Sequence, residues 1–407
     1  MAFNPFNEKG IPIEKQIRNW SELNVKPYHK KEVHPYTKAR IILMNGVEVE
    51  GAFFSHQFAR HLPDPELKKK IAVTRRVEQQ QQKAINWLSP GDETVLETTI
   101  GYEQVAVDLT AALARREPDP YVKQVFDFGL LEDFDHLYRY ANLLEMTQGE
   151  KAEELVGRLT EITPGRPTIN EHRFPFDDVR KNYDSKTASP LTKLQVLTLV
   201  AGEQQTMNFY MNVGNQFANE VGRGLYLEIG QIEEQHVTQY ESLMDPTCSW
   251  LEMALLHEYN ECYLYHSFME TEIDPQIKRI WELHLAMELE HLRLTADMVK
   301  AIENRDPQEL VPPVFPEPLL FESQIDYVRR ILAEQMDWNA NGMEIGPTDR
   351  VGTSRYYPMY QEAVNSGGFV PTQEVINQTA RAKGADYRFE TGAHPIERFR
   401  ERGHAVR

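Results

Sequence analysis

The chain has 407 residues, of which 41% are hydrophobic and 26% charged, and a formal net charge of −18. That composition belongs to a globular protein of one large or two ordinary domains. The acidic excess excludes nucleic acid as an expected partner, because phosphate binding needs clustered Lys and Arg. Two cysteines, Cys248 and Cys262, are too few for a disulfide framework or a thiolate-rich metal site, so any metal must be held by oxygen and nitrogen.

Residues 1–39 read as an N-terminal extension. Met1 to Lys15 carries Pro5, Glu8 and Glu14 and no apolar segment, so it is not expected to be a signal peptide. No apolar run of spanning length occurs, which makes a cytoplasmic protein without a membrane partner the expectation.

From residue 40 to 301 one pattern recurs. Asp64-Pro65, Asp119-Pro120 and Asp274-Pro275 each place an N-cap Asp before a Pro suited to the first helical position. Fourteen residues after each Asp comes an acid, Glu78, Asp133 or Glu288, and Asn219 leads to Glu233 by the same count. Three residues beyond these acids stand Gln81, His136, His291 and His236. Thirty residues before them stand Glu48, Glu103, Glu258 and Glu203. The interval from Glu48 to Glu103 equals that from Glu203 to Glu258, so four helical hairpins read as an internal duplication.

Hairpins 1 and 2 occupy residues 40–146 and hairpins 3 and 4 residues 191–301, with a polar connecting segment at 147–190. Around Asp133 the apolar line is Phe126, Leu130, Leu137, Tyr140 and Leu144; around Glu233 it is Leu225, Ile229, Ile232, Tyr240 and Leu243. Around Glu288 it is Ile277, Trp281, Leu285, Leu292 and Val299. These are the spacings of one helix face, so the acids are expected on buried stripes. Residues 302–407 read as a Pro-rich segment, one helix from Ser323 to Trp338, and an irregular tail with a basic end at Arg398 to Arg407. That tail suits either a loosely packed terminus or a wrap around a second subunit of a homo-oligomer.

An ionised carboxylate on an apolar stripe costs several kcal/mol unless something compensates it. An isolated Glu-x-x-His is ordinarily an exposed pair, but copies in one register, each with its upstream Glu, call for a cation inside. Hairpin 1 is the exception, with Arg75 and Lys83 near Glu78 and an amide, Gln81, in place of an imidazole; a packing role is expected there.

Glu233-Glu-Gln-His236 and Glu288-Leu-Glu-His291, each preceded by a Glu thirty residues earlier, resemble the ferritin-like di-iron carboxylate superfamily. The run from Asp133 and His136 to Glu145 is similar to the second helix of bacterioferritins and rubrerythrins. The resemblance implies an all-α, ferritin-like helical bundle holding two iron ions, with manganese as the alternative. The implied ligands are Glu103, Asp133, His136, Glu258, Glu288 and His291, with Glu203, Glu233 and His236 as further candidates. In such bundles the two Glu-x-x-His helices run antiparallel, which requires one hairpin from each half of the chain. Duplication symmetry favours hairpin 2 with 4 and 1 with 3; pairing 2 with 3 is the main alternative and 3 with 4 the third.

The function this implies is an oxidoreductase (an oxygenase, oxidase or peroxidase) reacting with O2 or peroxide and an unidentified small-molecule substrate or electron donor. The alternative is a metal-binding protein without turnover, iron-handling or structural.

Overall fold

The computed structural model describes residues 3–163 and 165–384. Its fold is all-α, with one two-stranded hairpin. Eight long helices fill the four expected hairpins: α1 (Pro35–His61) and α2 (Pro65–Asn86), α3 (Val95–Arg116) and α4 (Pro120–Gln148), α5 (Pro190–Val213) and α6 (Glu220–Glu241), α7 (Trp250–Thr271) and α8 (Pro275–Met298). No helix among the described residues is long and apolar enough to cross a membrane.

The starts of α2, α4, α6 and α8 follow from their caps. Asp64, Asp119 and Asp274 accept hydrogen bonds from backbone N–H groups two or three residues on, with Pro at the first helical position, and Asn219 accepts from Gly222. These side chains satisfy donors that a helix start leaves orphaned. Thr94 and Ser249 cap α3 and α7, and Gly149 closes α4 in the left-handed conformation that glycine adopts without strain.

The chain divides into two compact units. Unit 1 comprises residues up to Glu93, Tyr183–Gly202 and Met244–Phe321, and so contains hairpins 1 and 4. Unit 2 comprises Thr94–Asn182, Glu203–Leu243 and the chain from Glu322, and contains hairpin 2 with the greater part of hairpin 3. Within unit 1, Thr37 on α1 donates to Glu272 at the end of α7 (2.6 Å), and Val77, Leu264, Phe268 and Trp281 are fully buried. Within unit 2 the core includes Phe126, Leu137, Leu144, Ile229 and Ile232.

The segment after Glu322 departs from expectation. The single helix is shorter, Ile325–Gln335, and the stretch beyond it is not irregular. Strands β1 (Trp338–Asn341) and β2 (Glu344–Pro347) pair antiparallel around Gly342, whose φ of 57° suits the tight turn. Helices α9 (Tyr357–Asn365) and α10 (Pro371–Lys383) follow. Thr372 in α10 bonds through its N–H (2.7 Å) and hydroxyl (2.8 Å) to Glu228, which holds this segment against α6. The basic end at Arg398 to Arg407 lies outside the described residues.

Candidate metal centres

Each unit gathers its acids into one buried cluster. In unit 2, Asp133, Glu203, Glu233 and His236 bring ligand atoms within 4.8 Å of one another, and so do Glu103, His136 and Glu233. Glu233 belongs to both sets. In unit 1 the sets are Glu78, Glu258 and His291, and Glu48, Glu261 and Glu288. Glu103, Asp133, Glu288 and the three histidines are 0% exposed.

The favoured pairing of hairpins 2 and 4 is therefore overturned. Glu103, Asp133 and His136 meet Glu203, Glu233 and His236, while Glu258, Glu288 and His291 meet Glu48 and Glu78 of hairpin 1. The requirement of one hairpin from each half holds; the choice between the two ways of meeting it was misjudged. A duplication that relates hairpin 1 to 3 and 2 to 4 carries the pair 1–4 into the pair 3–2. One packing mode used twice thus accounts for both clusters, which pairs 1–3 and 2–4 would not.

His291 and His236 each have one ring nitrogen engaged and the other turned toward carboxylates. In unit 1, Gln16 donates through Nε2 to the carbonyls of Ile11 (2.7 Å) and Met287 (3.1 Å), so its Oε1 must be the acceptor facing His291 Nε2 at 2.7 Å. The Nε2 of His291 then carries the hydrogen, and Nδ1 faces Glu288 Oε2 at 2.9 Å. In unit 2, Glu132 is gripped by Arg173, with Arg166 at 3.3 Å, and accepts from His236 Nε2 at 2.9 Å. Burial works against ionising Glu132, yet Arg173 and His236 hold its carboxyl well below the usual range. The Nδ1 of His236 then points at three carboxylates, 3.2 Å from Asp133, 3.3 Å from Glu233 and 3.6 Å from Glu203, in hydrogen-bond geometry with none. One proton can serve one of three oxygens, whereas a cation serves all three. A carboxylate or amide holding the far nitrogen of a ligating histidine is the usual outer shell of such sites.

The carboxylates tell the same story. Among the described residues, Glu48, Glu78, Glu258 and Glu261 in unit 1, and Glu103, Asp133, Glu203 and Glu233 in unit 2, each leave a buried oxygen without a hydrogen-bond donor. Burial pushes Glu48, Glu258 and Glu261 well above the ordinary carboxyl range and Glu78 up to about 7. Burial also raises Glu103 and Glu203, whereas the His136 and His236 imidazoles overcome it at Glu233 and hold that group down at about 2. Orphaned buried acceptors cost about 1–3 kcal/mol each, more when charged. Oxygen and imidazole donors with these needs fit divalent iron or manganese.

Several participants escaped the sequence reading, Gln16 and Glu132 among them. Glu261 joins the unit 1 cluster from one turn after Glu258, at the same i,i+3 offset as Glu-x-x-His. A Cβ on Gly51 would lie 2.8 Å from its Oε1, so the glycine on α1 makes room for it. Tyr210 donates to Glu103 and Tyr265 to Glu48; each lies seven residues after the Glu that opens its hairpin, a signal the sequence offered. Glu171, from the connecting segment, stands 3.3 Å from His136 Nε2, and no periodicity announces it. Gln81 is fully buried and donates to Glu288 Oε1 at 2.5 Å, so hairpin 1 packs an amide into the cluster where hairpins 2, 3 and 4 place an imidazole.

No family model, curated protein or solved structure matches this chain, so the reading of both clusters rests on their own geometry.

Proposed function

We propose that the protein is a metal-dependent oxidoreductase of the ferritin-like, di-iron carboxylate kind, with a metal-binding cluster in each unit and iron, or manganese, as the resident metal. The observation that carries the reading is His236 Nδ1, turned by the Glu132–Arg173 pair toward three carboxylates with which it makes no hydrogen bond. When bound, such metals supply one-electron redox chemistry toward O2 or peroxide. The side chains do the rest. Glu233 belongs to both ligand sets and would hold metal in either. Gln16 and Glu132 hold the outer nitrogens of His291 and His236, Glu171 stands 3.3 Å from that of His136, and Tyr210 and Tyr265 fix the carboxylates of Glu103 and Glu48.

Turnover, as against metal holding, is favoured in unit 1, where Glu78, Glu258 and Glu261 line a cavity of about 450 Å3. A structural metal site is closed and a catalytic one keeps an accessible side. In unit 2, Glu132 beside His236 is held in a buried ion pair with Arg173, which also pairs with Asp178; such closed surroundings suit a metal-holding role there.

Stopped-flow mixing of the reduced, iron-loaded protein with O2 and with peroxide tests the reading. Oxidation faster than that of free ferrous ion in the same buffer, lost in Glu288→Ala, supports it. Oxidation no faster than the free ion leaves a metal-holding protein without turnover.

A further inference from the structure

The cavity of unit 1 says more than that the cluster is accessible. Glu78, Glu258, Glu261 and His257 form its inner end. Phe54, Phe58, Ile71, Leu294 and Met298 supply apolar wall. Among the lining residues Lys70, Val73, Asp297, Ala301 and Ile302 are exposed, so the cavity runs from the surface to the buried carboxylates. Its volume lies within the range of about 300–1,000 Å3 typical of small-molecule sites.

Polarity along this path is graded. Phe54 stacks on His257 with ring centroids 4.0 Å apart, and the imidazole Nδ1 is taken by the Met253 carbonyl at 2.7 Å. The imidazole thus shows ring face to its neighbour, with one polar edge already engaged. At the mouth, Val73 and Ile302 are 44% and 50% exposed, an apolar lip in contact with water. Asp297 at that lip is paired with Arg293 at 2.9 Å. At the inner end His257 Nε2 is faced by Glu50 at 2.9 Å, and the other charged groups are the cluster's own carboxylates.

We infer that this cavity binds a molecule with a hydrocarbon tail, which enters tail first and brings its uncharged end against Glu78, Glu258 and Glu261 while its polar head stays at the mouth. The inference rests on the reading given above, because the cluster must hold metal for its carboxylates not to attract a cationic head. That tail is the substrate portion presented to the unit 1 centre. Burying it removes apolar surface from water on both sides.

Isothermal titration with 1-decanol, on iron-loaded protein whose metal content is measured in the same sample, is the test. The expected result is saturable binding at one site per chain, weakened at least about tenfold by Ala254→Phe, which fills the cavity, and by Val73→Asp, which puts a charge at its lip. Val73 is exposed, so that variant folds whether or not the filled cavity is tolerated. Absence of saturable binding to metal-containing protein, or binding in both variants as tight as in the unsubstituted chain, overturns the inference. Tighter binding of decylamine than of 1-decanol to the loaded protein overturns the tail-first orientation. Protein that takes up no metal fails the functional reading instead, and the metal measurement separates the two outcomes.

Discussion

The hydroxyl of Tyr265 donates to Oε1 of Glu48, tying α7 to α1 across the unit 1 cluster. Glu48 is 1% exposed, and its other oxygen has no donor among the described residues. Tyr265→Phe strips the group of its hydroxyl donor and is expected to destabilise the metal-free protein by about 1–3 kcal/mol. In the metal-loaded protein the cation satisfies Glu48 and the loss should be smaller. Urea unfolding of both forms measures the difference; an equal loss in each would show that Glu48 is not a ligand.

The two clusters have separate ligand sets, so their metals should be lost separately. His291→Ala is expected to lower the metal content of unit 1 and leave unit 2 loaded, and His236→Ala the reverse. Metal-to-protein ratios after dialysis report this directly. The sets also differ in chemistry, since Gln81 stands in unit 1 where an imidazole stands in unit 2. Carboxylate-rich sets favour manganese relative to imidazole-bearing ones. Gln81→His should therefore move the iron-to-manganese ratio of unit 1 toward iron in a mixed-metal competition.

Gly51 offers a substitution that is mild for the fold and severe for the site. A methyl group there would lie 2.8 Å from Glu261 Oε1, the end of a side chain able to swing away. Helix propensity favours alanine by about 1 kcal/mol, so thermal stability of the metal-free protein should hold or rise. Metal affinity in unit 1 should fall by about ten- to a hundredfold, as when a group that positions a ligand is lost. Unchanged affinity would remove Glu261 from the ligand set.

Acidity gives a further signature. Burial lifts the Glu78 carboxyl to about 7 and raises Glu48, Glu258 and Glu261, and neighbouring Glu288 raises the His291 imidazole against the effect of burial. Each of these groups binds protons more tightly folded than unfolded, so the metal-free protein should lose stability as pH rises from about 5 to about 8. Metal requires the deprotonated ligands, and its stabilising effect should grow over the same interval. Melting temperatures with chelator and with added metal should therefore diverge as pH rises. Parallel curves would refute the claim that metal replaces protons at these carboxylates.

Much of this architecture was legible because helix starts and buried faces are local properties. Asp64, Asp119, Asn219 and Asp274 cap helices where the pattern places them, and the acids at a fixed distance after them lie on the buried stripes. The pairing of hairpins was not legible, because the spacings are the same whichever hairpins meet. Tyr210 and Tyr265 would have helped: their common register marks the first helices of hairpins 3 and 4 as equivalents facing a Glu of the first half. Glu171 was out of reach, since it comes from an aperiodic segment and is placed by tertiary packing alone. The β-hairpin and helices after Gln335 were missed because short elements owe their form to the surface they pack on, as Thr372 does on Glu228.

Along the chain the hairpin pairs are nested, 2 and 3 falling between 1 and 4 in sequence, and this sets a timetable for synthesis. Once the ribosome has passed His236, every ligand of the inner cluster exists, whereas Glu48 and Glu78 must wait for Glu258, Glu261, Glu288 and His291. Through that interval hairpin 1 carries two buried-type acids without their partners, and closing the outer pair spans a far longer stretch of chain, with a correspondingly larger entropy cost. Under the proposed function the inner cluster is complete for metal before the outer one, so a shortage of metal during translation would fall hardest on the cluster that lines the cavity.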